Sequence, residues 1–107
     1  MVIDFEQLKE EVRPEFKGGK GAYIVRSFEE NSSKLMLGKL EPGSSIGVHT
    51  HENDAEAIYI LSGKADIIYD DGTEHAVPGQ CHFCPKGHSH SMINNGDEPL
   101  VYFAAVL

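Results

Sequence analysis

After Gly21 the chain is cut at short, even intervals by residues that make turns: Glu41-Pro42-Gly43, Ser62-Gly63, Asp71-Gly72, Pro78-Gly79, Pro85-Lys86-Gly87 and Asn95-Gly96-Asp97. Proline fixes φ and glycine frees it, so such clusters end regular structure. The apolar runs between them predict strands over 22–28, 34–40, 46–51, 56–61, 64–70, 73–77, 80–84, 89–93 and 100–106. Many short strands at this spacing fold as an antiparallel sandwich or barrel. Ser62-Gly63 and Asp71-Gly72 each join two runs by two residues, which predicts a hairpin at both places. The last run, Leu100-Val101-Tyr102-Phe103-Ala104-Ala105-Val106, is apolar on both faces. Cover on its outer side is expected from a partner subunit, making the protein a homodimer.

Residues 1–20 read differently, as a short helix and linker ahead of a barrel domain over 21–107. Phe5, Leu8 and Val12 share one helical stripe, Asp4 caps it with Gln7 three residues on, and Pro14 stops it. Lys17-Gly18-Gly19-Lys20-Gly21 reads as a flexible connection; it lacks the strand and the Gly-Lys-Ser/Thr ending of a phosphate loop.

The 107 residues fit one domain. Nine basic against 17 acidic residues give a net charge of −8, which argues against nucleic acid and against an anionic membrane surface. No apolar run approaches the roughly 20 residues of a membrane span. The start, Met1-Val2-Ile3-Asp4-Phe5-Glu6, lacks the basic and apolar regions of a secretory signal, so a cytoplasmic location is expected. Cys81 and Cys84 have no second thiol pair to complete a zinc site, and no helix start follows them. Both read as small strand residues, with an oxidation-sensitive role as the alternative.

Chemistry concentrates in two glycine-framed blocks. The first is Gly43-x5-His49-x-His51-x4-Glu56-x6-Gly63 and the second Gly79-x5-Pro85-x-Gly87-x2-His90-x3-Asn94. Residues two apart on a strand leave the same face about 6.6 Å apart, close enough for His49 and His51 to share an ion. Gly47 should lie on that face and leave room beside them. A lone His-x-His is commonly two surface histidines, and a lone glutamate a solvated strand edge. Two framed blocks that together supply three imidazoles and a carboxylate outweigh that reading. His49, His51, Glu56 and His90 are the expected ligands of one divalent transition ion: Fe, Mn, Zn, Ni or Co.

These paired blocks resemble the two motifs of the cupin superfamily, over Gly43 to Asn94, with Gln80 where many cupins carry an acid. The resemblance implies a jelly-roll β-barrel in which His49, His51, Glu56 and His90 bind the metal and Asn94 supports the strand of His90. The fold class expected overall is therefore all-β, an antiparallel jelly-roll barrel with a short N-terminal helix.

Of the other histidines, His75 is expected at the surface and His82 could point either way. His88, in the turn region, reads first as solvated, and is still the best candidate for a second polar group, an acid or base at the pocket edge. Met36, Leu40, Ile58, Ile60, Met92 and Phe83 are the expected apolar walls; Tyr23, Tyr59, Tyr69, Tyr102 and Arg26 are the polar candidates. Four protein ligands leave one or two positions for substrate, water or dioxygen. The leading expectation is a metal-dependent dioxygenase, isomerase or lyase acting on a small oxygen-bearing molecule. The alternatives are a small-ligand-binding or sensor cupin without chemistry, and a barrel that keeps its metal for stability alone.

Overall fold

The computed structural model describes all residues, 1–107. Ten strands make two sheets, and every pairing is antiparallel. They are β1 (Glu11–Pro14), β2 (Ala22–Glu30), β3 (Ser33–Leu40), β4 (Ser45–Thr50), β5 (Glu56–Ser62), β6 (Ala65–Tyr69), β7 (Gly72–Ala76), β8 (Cys81–Cys84), β9 (Ser89–Ile93) and β10 (Leu100–Val106). One sheet has the order β1-β2-β3-β10-β5-β8, the other β4-β9-β6-β7. The protein is an all-β jelly-roll barrel.

The core follows from alternation. β10 buries Leu100, Tyr102, Ala104 and Val106 and leaves Val101, Phe103 and Ala105 half-covered on the outside. Leu40, Ile60 and Ile67 are wholly buried in the same cluster. Burying a side chain of this size contributes about 1.5–3 kcal/mol, so the sheet-to-sheet face is the main source of stability. No helix is long and apolar enough to cross a membrane.

The expected N-terminal helix is absent. Asp4 does cap, accepting the Glu6 amide at 3.0 Å, but only a 3-10 turn over Phe5–Gln7 follows. An isolated helix this short is marginal, and residues 11–14 find a better outlet by pairing with the edge of β2. Phe5 instead packs edge-on against Phe103, ring centroids 5.9 Å apart, and supplies part of the cover that β10 needs.

The Lys17–Gly21 connection is also docked rather than flexible. Ser45 donates its amide to the Lys20 carbonyl at 2.9 Å, and the Lys20 amide donates to Ser45 Oγ at 2.9 Å. A Cβ on Gly19 would lie 2.1 Å from the Ser45 carbonyl oxygen, so the missing side chain is what permits the contact.

Of the two expected hairpins, β6–β7 forms, but its turn is Asp70-Asp71, one residue earlier than expected, with Asp70 in the left-handed region (φ 50°) and Gly72 already paired in β7. The other does not. At Ser62-Gly63 the chain passes from one sheet to the other, so β5 pairs with β10 and β8 and never with β6. Gly63 (φ 82°) makes the corner with its α-carbon against Pro99, where a Cβ would meet the Pro99 oxygen at 2.5 Å.

Candidate metal centre

The aim of His49 depends on a bulge. Ile46 pairs with Met92 and His49 with His90, so β4 uses one residue more than β9 between the two pairs. The extra residue shifts the alternation, and both Ile46 and His49 face the interior while Val48 is exposed. Gly47 does not share the histidine face, as simple alternation predicts. Its Cα hydrogen faces the backbone of Lys17, where a Cβ would sit 1.9 Å from the carbonyl oxygen. The Gly47 carbonyl turns to the imidazole and accepts from His49 Nδ1 at 2.8 Å.

His49 lies near the end of β4, His51 one residue beyond it, Glu56 at the start of β5 and His90 inside β9. Their ligand atoms all lie within 4.8 Å of one another. His90 Nε2 stands 3.2 Å from His49 Nε2 and 3.0 Å from His51 Nε2. Glu56 Oε1 stands 3.0 Å from His90 Nε2 and 3.2 Å from His51 Nε2.

Hydrogen bonds on the far side of each ring decide what faces the centre. The Gly47 carbonyl can only accept, so His49 Nδ1 carries a hydrogen. His51 Nδ1 is likewise the donor to Asp54 Oδ1 at 2.7 Å. In the neutral rings both Nε2 atoms are then bare lone pairs. Lone pairs of imidazoles and a carboxylate oxygen repel at these separations unless a cation lies among them. The donor set therefore fits a divalent transition ion, with His49, His51, Glu56 and His90 as the residues that would hold it.

Titration follows the same environment. Burial lowers His49 from its ordinary value, with the Gly47 carbonyl opposing. Hydrogen bonding to Glu56 raises His51 against the effect of burial, and Asp54 adds to the rise. Burial works to raise Glu56, but the hydrogen bonds and charge of His51 and His90 outweigh it and hold the carboxyl at about 2. Glu56 is thus a carboxylate, ready to bind a cation, throughout the physiological range.

The cluster opens on a cavity of about 340 Å³. Met36, Ile58 and Met92 line it as expected, together with Tyr23 and Tyr102. Leu40 and Ile60 belong to the core instead, and Phe83 and Tyr59 point outward, 56% and 45% exposed. Arg26 is occupied elsewhere, donating to the carbonyls of Phe5, Glu6 and Leu8. Sequence reasoning missed Phe16, Ile46, Val106, Arg13 and Lys17, all cavity residues. Ile46 was hidden by the bulge, and Arg13, Phe16 and Lys17 by the helix and linker expected over residues 1–20.

Gly38 makes room for the tyrosines, since a Cβ there would meet Tyr102 Cζ and Tyr23 Cε1 at 2.8 Å each. Burial pushes Tyr23 up to about 12 and raises Tyr102 well above its ordinary value, so both keep their hydroxyl hydrogens.

His88 sits in the turn before β9, outside the cavity lining. Its Nδ1 pairs with Asp70 Oδ2 at 2.5 Å, and its ring stacks on Tyr69. His75 is at the surface, paired with Asp66 at 2.6 Å. His82 points inward and is buried against His90, Nε2 to Nδ1 at 3.0 Å. Cys81 and Cys84 are free thiols, one exposed and one buried. Burial pushes Cys84 to about 11, so that thiol stays protonated.

The cupin domain model matches residues 36–106, most of the chain and all four residues of the cluster. The protein belongs to the cupin family. It is 32% identical to the oxalate-binding protein of Thermotoga maritima, an alignment covering 100% of this cupin and 93% of the relative. It is 36% identical to oxalate decarboxylase of Bacillus subtilis over 90% of its own length, but spans only 27% of that enzyme. Among solved structures, a predicted oxalate decarboxylase from Thermotoga maritima superposes with a TM-score of 0.93 at 29% identity, covering 100% of this cupin and 98% of that chain.

Proposed function

We propose that this cupin is a metal-dependent enzyme that takes a small carboxylate of the oxalate class as a chelate on one divalent ion and cleaves it in a lyase-type reaction. The observation that carries the reading is the convergence of His49, His51, Glu56 and His90 on the wall of the cavity. When bound, the ion would supply Lewis acidity and positions for two substrate oxygens. The chain's own residues do the rest. Tyr23 and Tyr102 keep O–H groups in a cavity whose apolar wall includes Met36, Ile58 and Met92. Arg13, Lys17 and Lys34 line it together with Glu29, Glu52 and Asp54, so the charge that meets an anion would come chiefly from the ion. The two oxalate-named relatives support the substrate class.

Protein loaded with Mn(II) and supplied with oxalate is expected to release carbon dioxide and formate, one of each per oxalate and proton consumed. A second reading, capture without chemistry, is favoured by the oxalate-binding relative that aligns along the whole chain. Calorimetry showing oxalate bound and recovered unchanged would select it. Neither binding nor turnover would overturn both.

We also infer a homodimer. Tyr59, Leu61 and Phe83 are exposed on neighbouring strands of the larger sheet's outer face, with Phe103 beside Tyr59. A contiguous apolar face of this kind calls for cover, and a second copy supplies the same surface. Sedimentation should give twice the chain mass, and Phe83→Glu should halve it; a monomeric parent would refute the inference.

A further inference from the structure

His90 does not end at the metal face. Its Nδ1 meets His82 Nε2 at 3.0 Å, and His82 Nδ1 meets Glu74 Oε1 at 2.9 Å. The His82 side chain is 1% exposed and the Glu74 side chain 48%, so the row runs from the centre to solvent. Tyr69 stands edge-on to the His82 ring at 5.5 Å and holds it in place. The three residues come from β9, β8 and β7. β8 is the last strand of the larger sheet and β7 the last of the smaller, so the row links the two sheet edges.

The direction of every hydrogen bond in the row follows from Glu74. A carboxylate only accepts, so His82 Nδ1 must donate to it. His82 Nε2 is then the acceptor, and His90 Nδ1 must donate to that. A neutral His90 with its hydrogen on Nδ1 has a bare Nε2, the atom that faces His49, His51 and Glu56. Without the Glu74 charge, His82 is free to take the opposite tautomer and place a hydrogen against His90 Nδ1. The hydrogen of His90 would then move to the ligand nitrogen.

We propose that Glu74 and His82 are positioning residues of the metal centre, fixing His90 as an Nε2 ligand and increasing its donor strength from two strands that supply no ligand. The proposal rests on the metal reading above. Outer partners of metal-bound histidines act this way, and losing one typically costs about 10–100-fold in metal affinity.

The test uses the full chain and Co(II), with affinity read by chelator competition and the ligand field by visible absorption. His82→Phe keeps the ring volume and removes both nitrogens; it should weaken Co(II) by about 10–100-fold and displace the absorption bands. Glu74→Gln keeps the size at a half-exposed position and removes the charge. It should move affinity and bands in the same sense by a smaller factor, and it serves alone if His82→Phe does not fold. His75→Gln, in the same hairpin but turned to the surface, should leave both readouts at the parent value. Lowered melting temperature with unchanged affinity and bands in both variants would reduce Glu74 and His82 to packing and overturn the proposal. A parent that bound no Co(II) would overturn the metal reading itself, and this proposal with it.

Discussion

Replacing Gly47 with alanine tests whether the docked N-terminal segment and the bulge in β4 hold His49 as described. The added methyl would lie 1.9 Å from the Lys17 carbonyl oxygen, 2.7 Å from its carbon and 3.0 Å from the Gly18 carbonyl carbon. All three are backbone atoms, so no side chain can rotate to relieve the contact. Either Lys17–Gly19 lifts off β4 or the bulge moves. Lifting off breaks the two Ser45–Lys20 hydrogen bonds, each 2.9 Å long, at about 1 kcal/mol apiece. Forcing an extra methyl into a packed contact costs about 1–3 kcal/mol by itself. The sum is about 3–5 kcal/mol, and a domain of this size loses about 4 °C of melting temperature per kcal/mol, so a fall of about 12–20 °C is expected.

Gly72→Ala provides the control. Its new Cβ would find only the Tyr69 oxygen at 3.7 Å, an ordinary contact, and φ there lies outside the left-handed region. It should stay within about 0.5 kcal/mol of the parent. Gly47→Ala should also weaken Co(II) binding, because the Gly47 carbonyl is what the His49 Nδ1–H donates to. Melting by circular dichroism and chelator competition read the two effects separately. If Gly47→Ala melted within about 2 °C of Gly72→Ala and bound Co(II) as tightly, the docking argument and the role of the bulge would both be wrong.

Asn94 is wholly buried and its side chain makes three hydrogen bonds, to the carbonyls of Leu40 and Glu98 and from the amide of Gly96. Asn94→Ala leaves buried partners unpaired and should cost about 2–4 kcal/mol in urea unfolding, whereas a surface asparagine would cost almost nothing. Metal affinity should fall as pH drops through about 6.5, because a protonated imidazole has no lone pair to give. A Co(II) affinity that stayed flat from pH 7 to 5 would refute ligation by three histidines. Saturating Co(II) at 100 times its dissociation constant should stabilise the fold by about 2.7 kcal/mol, and EDTA should reverse it; no change in melting temperature would mean that the ion binds the unfolded chain equally well.

Turn chemistry made most of the fold legible. Glycine and proline act within a few residues, so strands such as β9 and β10 fall where their breaks predict. What a two-residue connection joins is a tertiary matter, however. Ser62-Gly63 and Asp71-Gly72 look alike as dipeptides, yet the first crosses between sheets, because β5 already has β10 and β8 as partners, while the second lies at a hairpin whose turn is Asp70-Asp71. The N-terminal stripe failed for a related reason: Phe5 could serve a helix face equally well, and the deciding fact is Phe103, which lies far along the chain. The residues of the His/Glu cluster were legible because their spacing is local and their chemistry distinctive. The bulge was not, since nothing in Ile46-Gly47-Val48-His49 states that β9 will be one residue shorter there.

His82 shows how far residue type alone can lead. As one histidine among six it carried no signal, and only the approach of β8 to β7 gives it a partner on each side. The same topology explains why the centre is more than a local pocket. His49 and His90 belong to the smaller sheet and Glu56 to the larger, so an ion held by them ties the two sheets together. Glu74 and His82 repeat the crossing in a second row, from the opposite edge strands. Sheet packing thus sets the ligand geometry, and whatever binds the ligands acts back on sheet packing. Any substitution that changes the spacing between the sheets should therefore affect metal affinity and stability together, even when it touches no ligand.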